Sequence, residues 1–269
     1  MLFDRDKLLV IAGPCVIESE GLLLDVAERL AQIAESNDSI RLIFKASFDK
    51  ANRTSVASKR GVGLVKGLEI FRKIKEKYGF IITTDIHLPE QAVVVASVCD
   101  VLQIPAFLCR QTDLLVSAAK TGAVVSVKKG QFLSAREMRY VIDKLEVSGA
   151  EEVWQIERGT TFGYNDLVVD MRNIGIMKSH GAPVIFDATH SVQKPGAGEG
   201  VTIGNREFVE TLAYGAMAAG ADGVFFETHM DPDQAACDAA NQVDVNKIER
   251  IIGNCVKFWE LRRSMVSQY

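Results

Sequence analysis

Four side chains far apart in the sequence, Cys15, His190, Glu227 and Asp238, offer a thiolate, an imidazole and two carboxylates. A donor set of that mixed character suits Zn²⁺, Fe²⁺ or Mn²⁺. His87 and His229 are alternative imidazole donors. A second group is cationic: Lys45, Lys50, Arg53, Arg110, Lys128 and Arg158. Guanidinium forks match phosphate and carboxylate oxygens bidentately, and ammonium groups act as mobile point charges. The group therefore implies anionic substrates with more than one phosphate or carboxylate. Asp85 and His87 have the chemistry for proton transfer. Each residue also has an ordinary reading: an inert buried thiol, hydrogen-bonded histidines, solvated or helix-terminal carboxylates, and a solvated charged rim. What separates the readings is whether the chain brings these residues to one place.

The apolar pattern predicts that it does. Eight short apolar or β-branched runs recur along the chain: LLVIAGPC (8–15), RLIFKAS (41–47), FIITTDIH (80–87), VLQIPA (101–106), AVVSVKK (123–129), EVWQIERG (152–159), PVIFDATH (183–190) and GVFFETH (223–229). Longer amphipathic stretches separate them, such as Leu23, Val26, Leu30 and Ile33, then Leu68, Phe71, Ile74 and Tyr78. The last, Val245, Ile248, Ile251, Cys255 and Trp259, completes an eighth unit, with fraying expected after Arg263. Eight βα units with no linker between halves predict a single (β/α)₈ barrel over residues 1–269, in preference to an open doubly wound sheet. In a barrel the C-terminal strand ends share one face, and the eighth strand pairs with the first. The runs end, in order, in Cys15 and Glu18; Lys45, Lys50, Asn52 and Arg53; Asp85 and His87; Gln103 and Arg110; Lys128 and Lys129; Glu157 and Arg158; Asp187 and His190; Glu227 and His229. An open sheet has no need of reactive residues at all eight ends.

With 31 basic and 35 acidic residues the net charge is −4, which removes the basic field that nucleic acid or an anionic membrane requires. No membrane-length apolar run or secretory leader is read, so a cytoplasmic protein acting on small molecules is expected. The five cysteines show no CxxC spacing, and all except Cys15 are expected to be buried thiols. The segment KPGAGEGVTIGN reads as a lid or a surface loop and matches no nucleotide-binding fingerprint.

Read as motifs, IAGPCVIES, KASFDKANRTS, TTDIH, QIPAFLCRQTD, VKKGQF, ERGTTFGYNDLVVDMR, DATHSVQ and FFETH together resemble the 3-deoxy-D-manno-octulosonate 8-phosphate synthases over nearly the whole chain. KANRTS with IPAFLCRQTD and GTTFGYNDLVVD is the specific part. The resemblance implies a homotetrameric (β/α)₈ barrel that condenses phosphoenolpyruvate with D-arabinose 5-phosphate and releases inorganic phosphate, the product feeding lipopolysaccharide synthesis. The related synthases that make 3-deoxy-D-arabino-heptulosonate 7-phosphate from erythrose 4-phosphate share the GPC start. Their sugar-phosphate loop typically reads KPRTS where this chain has KANRTS from Lys50 to Ser55, which favours the five-carbon sugar. That four-carbon synthase, or a non-catalytic barrel that binds anionic metabolites, are the alternatives.

The resemblance also implies a divalent metal. The octulosonate synthases divide into a metal-requiring branch with cysteine in IAGPC and a metal-independent branch with asparagine there. CDAANQ, which contains Asp238, also matches the metal-requiring pattern. Carried over residue by residue, the ligands are Cys15, His190, Glu227 and Asp238. Phosphoenolpyruvate is expected among Lys45, Lys50, Gln103, Lys128 and Arg158, with the sugar phosphate above it on Asn52, Arg53 and Ser55. Arg110 is expected to reach the site of a neighbouring subunit. Lys50, Asp85, His87 and Asp238 are the candidates for the chemistry itself. In that chemistry C3 of phosphoenolpyruvate adds to the aldehyde, water adds at C2, and the hemiketal phosphate loses phosphate by C–O cleavage.

Overall fold

The computed structural model of the chain describes residues 1–53, 55–198 and 201–266. Its eight main strands are β1 (Leu8–Gly13), β2 (Ile40–Lys45), β3 (Ile81–Asp85), β4 (Val101–Ile104), β5 (Val124–Lys128), β6 (Val153–Glu157), β7 (Val184–Asp187) and β8 (Gly223–His229). Neighbours in sequence pair in parallel, and β1 also pairs with β8, so the sheet closes on itself. The outer ring is α1 (Glu20–Glu35), α2 (Leu64–Tyr78), α3 (Gln91–Ala96), α4 (Thr112–Ala119), α5 (Met138–Val147), α6 (Arg172–Lys178), α7 (Val209–Ala219) and α8 (Val245–Val266). This is the (β/α)₈ barrel that the eight runs predict.

Both faces of each strand are buried, which is why the runs are nearly continuously apolar. Alternation then sorts the side chains. Leu8, Val10 and Ala12 of β1 belong to the layer beneath the helices, where Leu23, Val26, Ala27, Leu30 and Ile33 of α1 also pack. Leu9 and Ile11 point the other way, into a lumen shared with Ile43, Val101, Val124, Trp154, Ile156, Ile185 and Phe225. Because side chains repeat every two residues along a strand, any residue two or four positions beyond a lumen residue also faces inward, nearer the mouth. Lys45, Asp85, Gln103, Lys128, Arg158, Asp187 and Glu227 all obey that parity. The lumen floor is apolar and its mouth is charged. At the floor, the amides of Leu2 and Phe3 donate to the Glu152 carboxylate at 2.5 and 2.7 Å, which holds both side chains against the lumen cluster.

Several strands stop short of the predicted runs. β4 ends before Pro105, which has no N–H to give to a ladder. β7 ends at Asp187, whose carbonyl accepts from Ser191 N, so ATH is a turn instead of strand. The glycine-rich segment is not a featureless loop: Gln193–Gly198 pairs antiparallel with Val201–Gly204, with Lys194 opposite β-branched Ile203. Residues 199 and 200 of it, and Thr54 of KANRTS, lie outside the described residues.

Candidate active site

A cavity of about 370 Å³ opens at the C-terminal ends of the strands, lined by Lys50, Asn52, Arg53, Arg158, His190 and Asp238 among others. A larger hollow of about 750 Å³ at the floor, near Phe3, Glu152 and Trp259, faces the opposite end of the barrel. The reactive strand ends meet only at the mouth.

There the cations do not form a bare basic field. Lys45 is fully buried, its Nζ 3.0 Å from Glu227 Oε1 and donating to the Cys15 carbonyl at 3.2 Å. Lys50 Nζ lies 3.5 Å from Glu227 Oε1 and 3.8 Å from Asp85 Oδ2. Lys128 Nζ donates to Asp187 Oδ2 at 2.6 Å and sits 3.9 Å above the Phe225 ring. Arg158 donates to Gln193 Oε1 at 2.7 Å and to the His190 carbonyl at 3.1 Å. Four cations thus face the four carboxylates of Asp85, Asp187, Glu227 and Asp238. An incoming anion therefore meets cations already faced by carboxylates, because burying either sign alone is costly.

These pairings set the ionisation of the site. Burial pushes the Glu227 carboxyl up, but His190, Lys45 and Lys50 together pull it well below the usual carboxylate range. Asp187 behaves alike, with His190 and Lys128 outweighing burial. Asp85 opposes its burial with Lys45 and Lys50, and it accepts from Ser47 Oγ and from Gln103 Nε2, both at 2.5 Å. It is therefore held ionised and anchors Lys50 and Gln103. Burial depresses the Lys50 ammonium, yet Glu227, Asp85 and Asp238 raise it above the ordinary lysine value. Burial and Lys50 pull Lys45 down to about 8. Burial also lowers His87, which keeps its imidazole neutral near pH 7; its Nδ1 is buried without a partner.

Of the four metal donors predicted from the sequence, His190, Glu227 and Asp238 meet in one cluster, and Cys15 adjoins it at Asp238. His190 Nε2 is 3.4 Å from Glu227 Oε1 and 3.9 Å from Asp238 Oδ2, and the three can share one centre. The other imidazole nitrogen of His190 is 2.7 Å from Asp187 Oδ2, which turns Nε2 toward the carboxylates. Cys15 Sγ is 3.3 Å from Asp238 Oδ2, because Gly13 of β1 stands opposite Glu227 in the ladder to β8. A Cβ at Gly13 would collide with the Lys45 carbonyl, so glycine is required for that approach. Imidazole, two carboxylates and a thiolate fit a divalent transition ion. His229 stands apart, 3.4 Å from Glu18.

Two cysteines depart from expectation. Cys99, Cys109 and Cys255 are buried free thiols, but the Cys237 sulfur is bonded to that of Cys15. With the two 222 positions apart in sequence, only barrel closure makes them neighbours. Alternation also separates the paired lysines of VKKGQF. Lys128 faces the mouth, whereas Lys129 is buried behind it, 3.5 Å from Glu157 and donating to the carbonyls of Gly130, Leu133 and Gly159.

The remaining predicted residues sit at the rim. Asn52 and Arg53 line the cavity with Ser58, while exposed Ser55 caps its own turn by accepting from Ala57 N. Arg110 is exposed and outside the lining. Residues not singled out beforehand also contribute: Ser47 to Asp85, Gln193 to Arg158, and Phe107 and Gln131 to the wall. Ser47 could have been found, since it lies two beyond inward-facing Lys45.

Residues 4–264 match the DAHP synthetase I family. A Bartonella bacilliformis protein named 2-dehydro-3-deoxyphosphooctonate aldolase is 52% identical over 261 residues, covering 97% of this chain and 92% of its own length. Proteins of the same name from Brucella ovis and Brucella anthropi are also 52% identical, covering 96% and 95% of this chain and 93% and 92% of their own. The chain belongs to the DAHP synthetase I family and stands within it beside the 2-dehydro-3-deoxyphosphooctonate aldolases.

Proposed function

We propose that this enzyme condenses phosphoenolpyruvate with D-arabinose 5-phosphate and water, giving 3-deoxy-D-manno-octulosonate 8-phosphate and inorganic phosphate for lipopolysaccharide synthesis. One observation carries the reading: Lys45 and Lys50 pair with Glu227, Lys128 pairs with Asp187 beside His190, and Lys50 and Arg158 line one cavity with His190 and Asp238 of the donor set. Its relatives bear the name of this activity at 52% identity.

Lys128 and Arg158, with Gln103 and Lys45 below them, are placed to hold the phosphate and carboxylate of phosphoenolpyruvate. Lys50, kept protonated by the carboxylates around it, stabilises the charge that develops as C3 adds to the aldehyde carbon. Holding the two substrates in line is the other main contribution of the site. Asn52 and Arg53 hold the sugar phosphate at the rim. Neutral His87 and the Asp238 carboxylate are the groups left to move protons when water adds at C2. A divalent ion held by His190, Glu227, Asp238 and the Cys15 thiolate would supply Lewis acidity, and its two charges would free the lysines from their carboxylates to receive anions. We assign a homotetramer in which Arg110, exposed here, serves a neighbouring copy, and a cytoplasmic location. No helix among the described residues is long and apolar enough to cross a membrane.

Phosphate release measured with phosphoenolpyruvate and arabinose 5-phosphate, with erythrose 4-phosphate, and with no sugar tests the reading. Release with arabinose 5-phosphate alone is expected. Preference for the four-carbon sugar would assign the heptulosonate activity, and no release with either sugar would leave a binding barrel.

A further inference from the structure

Cys15 and Cys237 are both buried, with a Cα–Cα separation of 6.5 Å, inside the range that a disulfide spans. Each backbone is anchored without the sulfur bond. Cys15 follows β1, whose ladder to β8 fixes Gly13 opposite Glu227, and its carbonyl accepts from Lys45 Nζ. The segment holding Cys237 folds back over the mouth: Ala236 N donates to Glu18 Oε1, the Cys237 carbonyl accepts from Gln242 Nε2, and Asp238 adopts a left-handed φ of 50°. The fold therefore presents two sulfurs to one another and, one residue further on, a carboxylate to both. Three donors, Cys15, Cys237 and Asp238, lie within one coordination-sized cluster that shares Asp238 with the His190 and Glu227 cluster. Asp238 stands at the junction of the two, with the Cys15 sulfur 3.3 Å from its carboxylate and bonded to the Cys237 sulfur.

We propose that Cys15 and Cys237 form a reversible modification site for hydrogen peroxide, and that the disulfide and the bound metal exclude each other. The inference rests on the reading of Cys15 as a metal ligand. In the first step one thiolate attacks the peroxide, an S–O bond forms, the O–O bond breaks, and hydroxide leaves to be protonated to water. In the second, the other thiolate attacks the sulfenic sulfur, the S–S bond forms, the S–O bond breaks, and a second water leaves. The two sulfurs lose two electrons and the peroxide gains them. Cys237 borders the mouth cavity, which is the route of entry. Once bonded to Cys237, Cys15 has no thiolate to offer, so the site loses one of its four donors. Conversely, a cation on the Cys15 sulfur withholds the nucleophile. A reducing thiol reverses the modification by exchange.

The test treats the reduced full-length protein with hydrogen peroxide, with and without prior loading with Zn²⁺. It reads the peptide linkage by mass spectrometry, free thiols in denaturant and bound zinc. The metal-free protein should lose two of its five thiols, yield the 15–237 linked peptide, take up zinc at least tenfold more weakly, and recover on dithiothreitol. Zinc loading should slow the linkage at least tenfold. Cys237→Ser should take up zinc, form no linkage, and keep its zinc under peroxide exposure that strips the wild type. Absence of the linked peptide, or a linked protein that binds zinc as tightly as the reduced one, overturns the proposal. A reduced wild type that binds no zinc defeats the ligand assignment of Cys15 and the exclusion with it. Linkage with zinc retained defeats the exclusion alone.

Discussion

Asp187 shows how much of this site depends on a residue that touches no substrate. Fully buried, it accepts from Lys128 Nζ, from the His190 backbone N–H, and from Thr189 Oγ1, and it lies against His190 Nδ1. A carboxylate there keeps the proton on Nδ1 and leaves Nε2 free as a donor. Asp187→Asn is expected to weaken Zn²⁺ binding roughly 10–100-fold, the usual cost of losing such a partner, as measured by competition with a chromogenic chelator. Unchanged affinity would count against the role. Arg53 makes a different prediction because it lies at the rim, where the proposed reading gives it the sugar phosphate alone. A charge-assisted hydrogen bond is worth about 1.5–3 kcal/mol, so Arg53→Ala should raise the KM for arabinose 5-phosphate roughly 10–100-fold. The KM for phosphoenolpyruvate should scarcely move. Steady-state kinetics with each substrate varied in turn decide it.

Among the elements, β5 and β6 show how alternation distributes function. Two adjacent lysines leave β5, and parity alone sends Lys128 to the mouth and Lys129 into the wall between β5 and β6. Lys129 ties the loop after β5 to the loop after β6 through the carbonyls of Gly130, Leu133 and Gly159 and through Thr160 Oγ1. It also neutralises Glu157, which is itself buried. Lys129→Met keeps the volume of the stem but strands that carboxylate, and breaking a buried pair from one side costs about 3–5 kcal/mol. The urea midpoint should fall correspondingly. Lys128→Met, whose partner Asp187 keeps its bonds to His190 and Thr189, should instead act mainly on phosphoenolpyruvate binding. The element scale is where the sequence was most legible: lumen residues such as Ile43, Ile185 and Phe225 predict, two positions on, that Lys45, Asp187 and Glu227 face inward. It was least legible at the loops, where Ser58 takes the lining place expected of Ser55 and the glycine-rich segment pairs as a hairpin.

For the whole molecule, the balance of charge at the mouth governs stability against acid. Asp85, Asp187 and Glu227 are all held below the usual carboxylate range in the folded chain. As pH falls, the unfolded chain takes up protons first. The contribution of these groups is therefore complete above the unfolded carboxylate value of about 4 and is lost as pH falls below it toward the folded values. Urea midpoints for the metal-free protein should be nearly level from about pH 7 to 5 and drop steeply below about 4. A midpoint that rises on acidification would contradict the assignment. Net charge says little of this: a chain at −4 carries a site in which buried lysines pair with buried carboxylates, and the pairing exists only once the barrel is closed.

Periodicity and residue type were enough to predict eight βα units closed into a barrel and to nominate candidate donors and cations at the strand ends, because apolar runs are local signals and every strand here is buried on both faces. The tertiary structure decided what local pattern cannot carry. Closing β8 onto β1 sets Gly13 opposite Glu227, brings Cys15 to Asp238, sets Cys237 against the same sulfur, and pairs the buried lysines with carboxylates. Those are distances across the barrel. They follow from strand register and the packing of eight helices around the sheet, and no spacing along the chain encodes them.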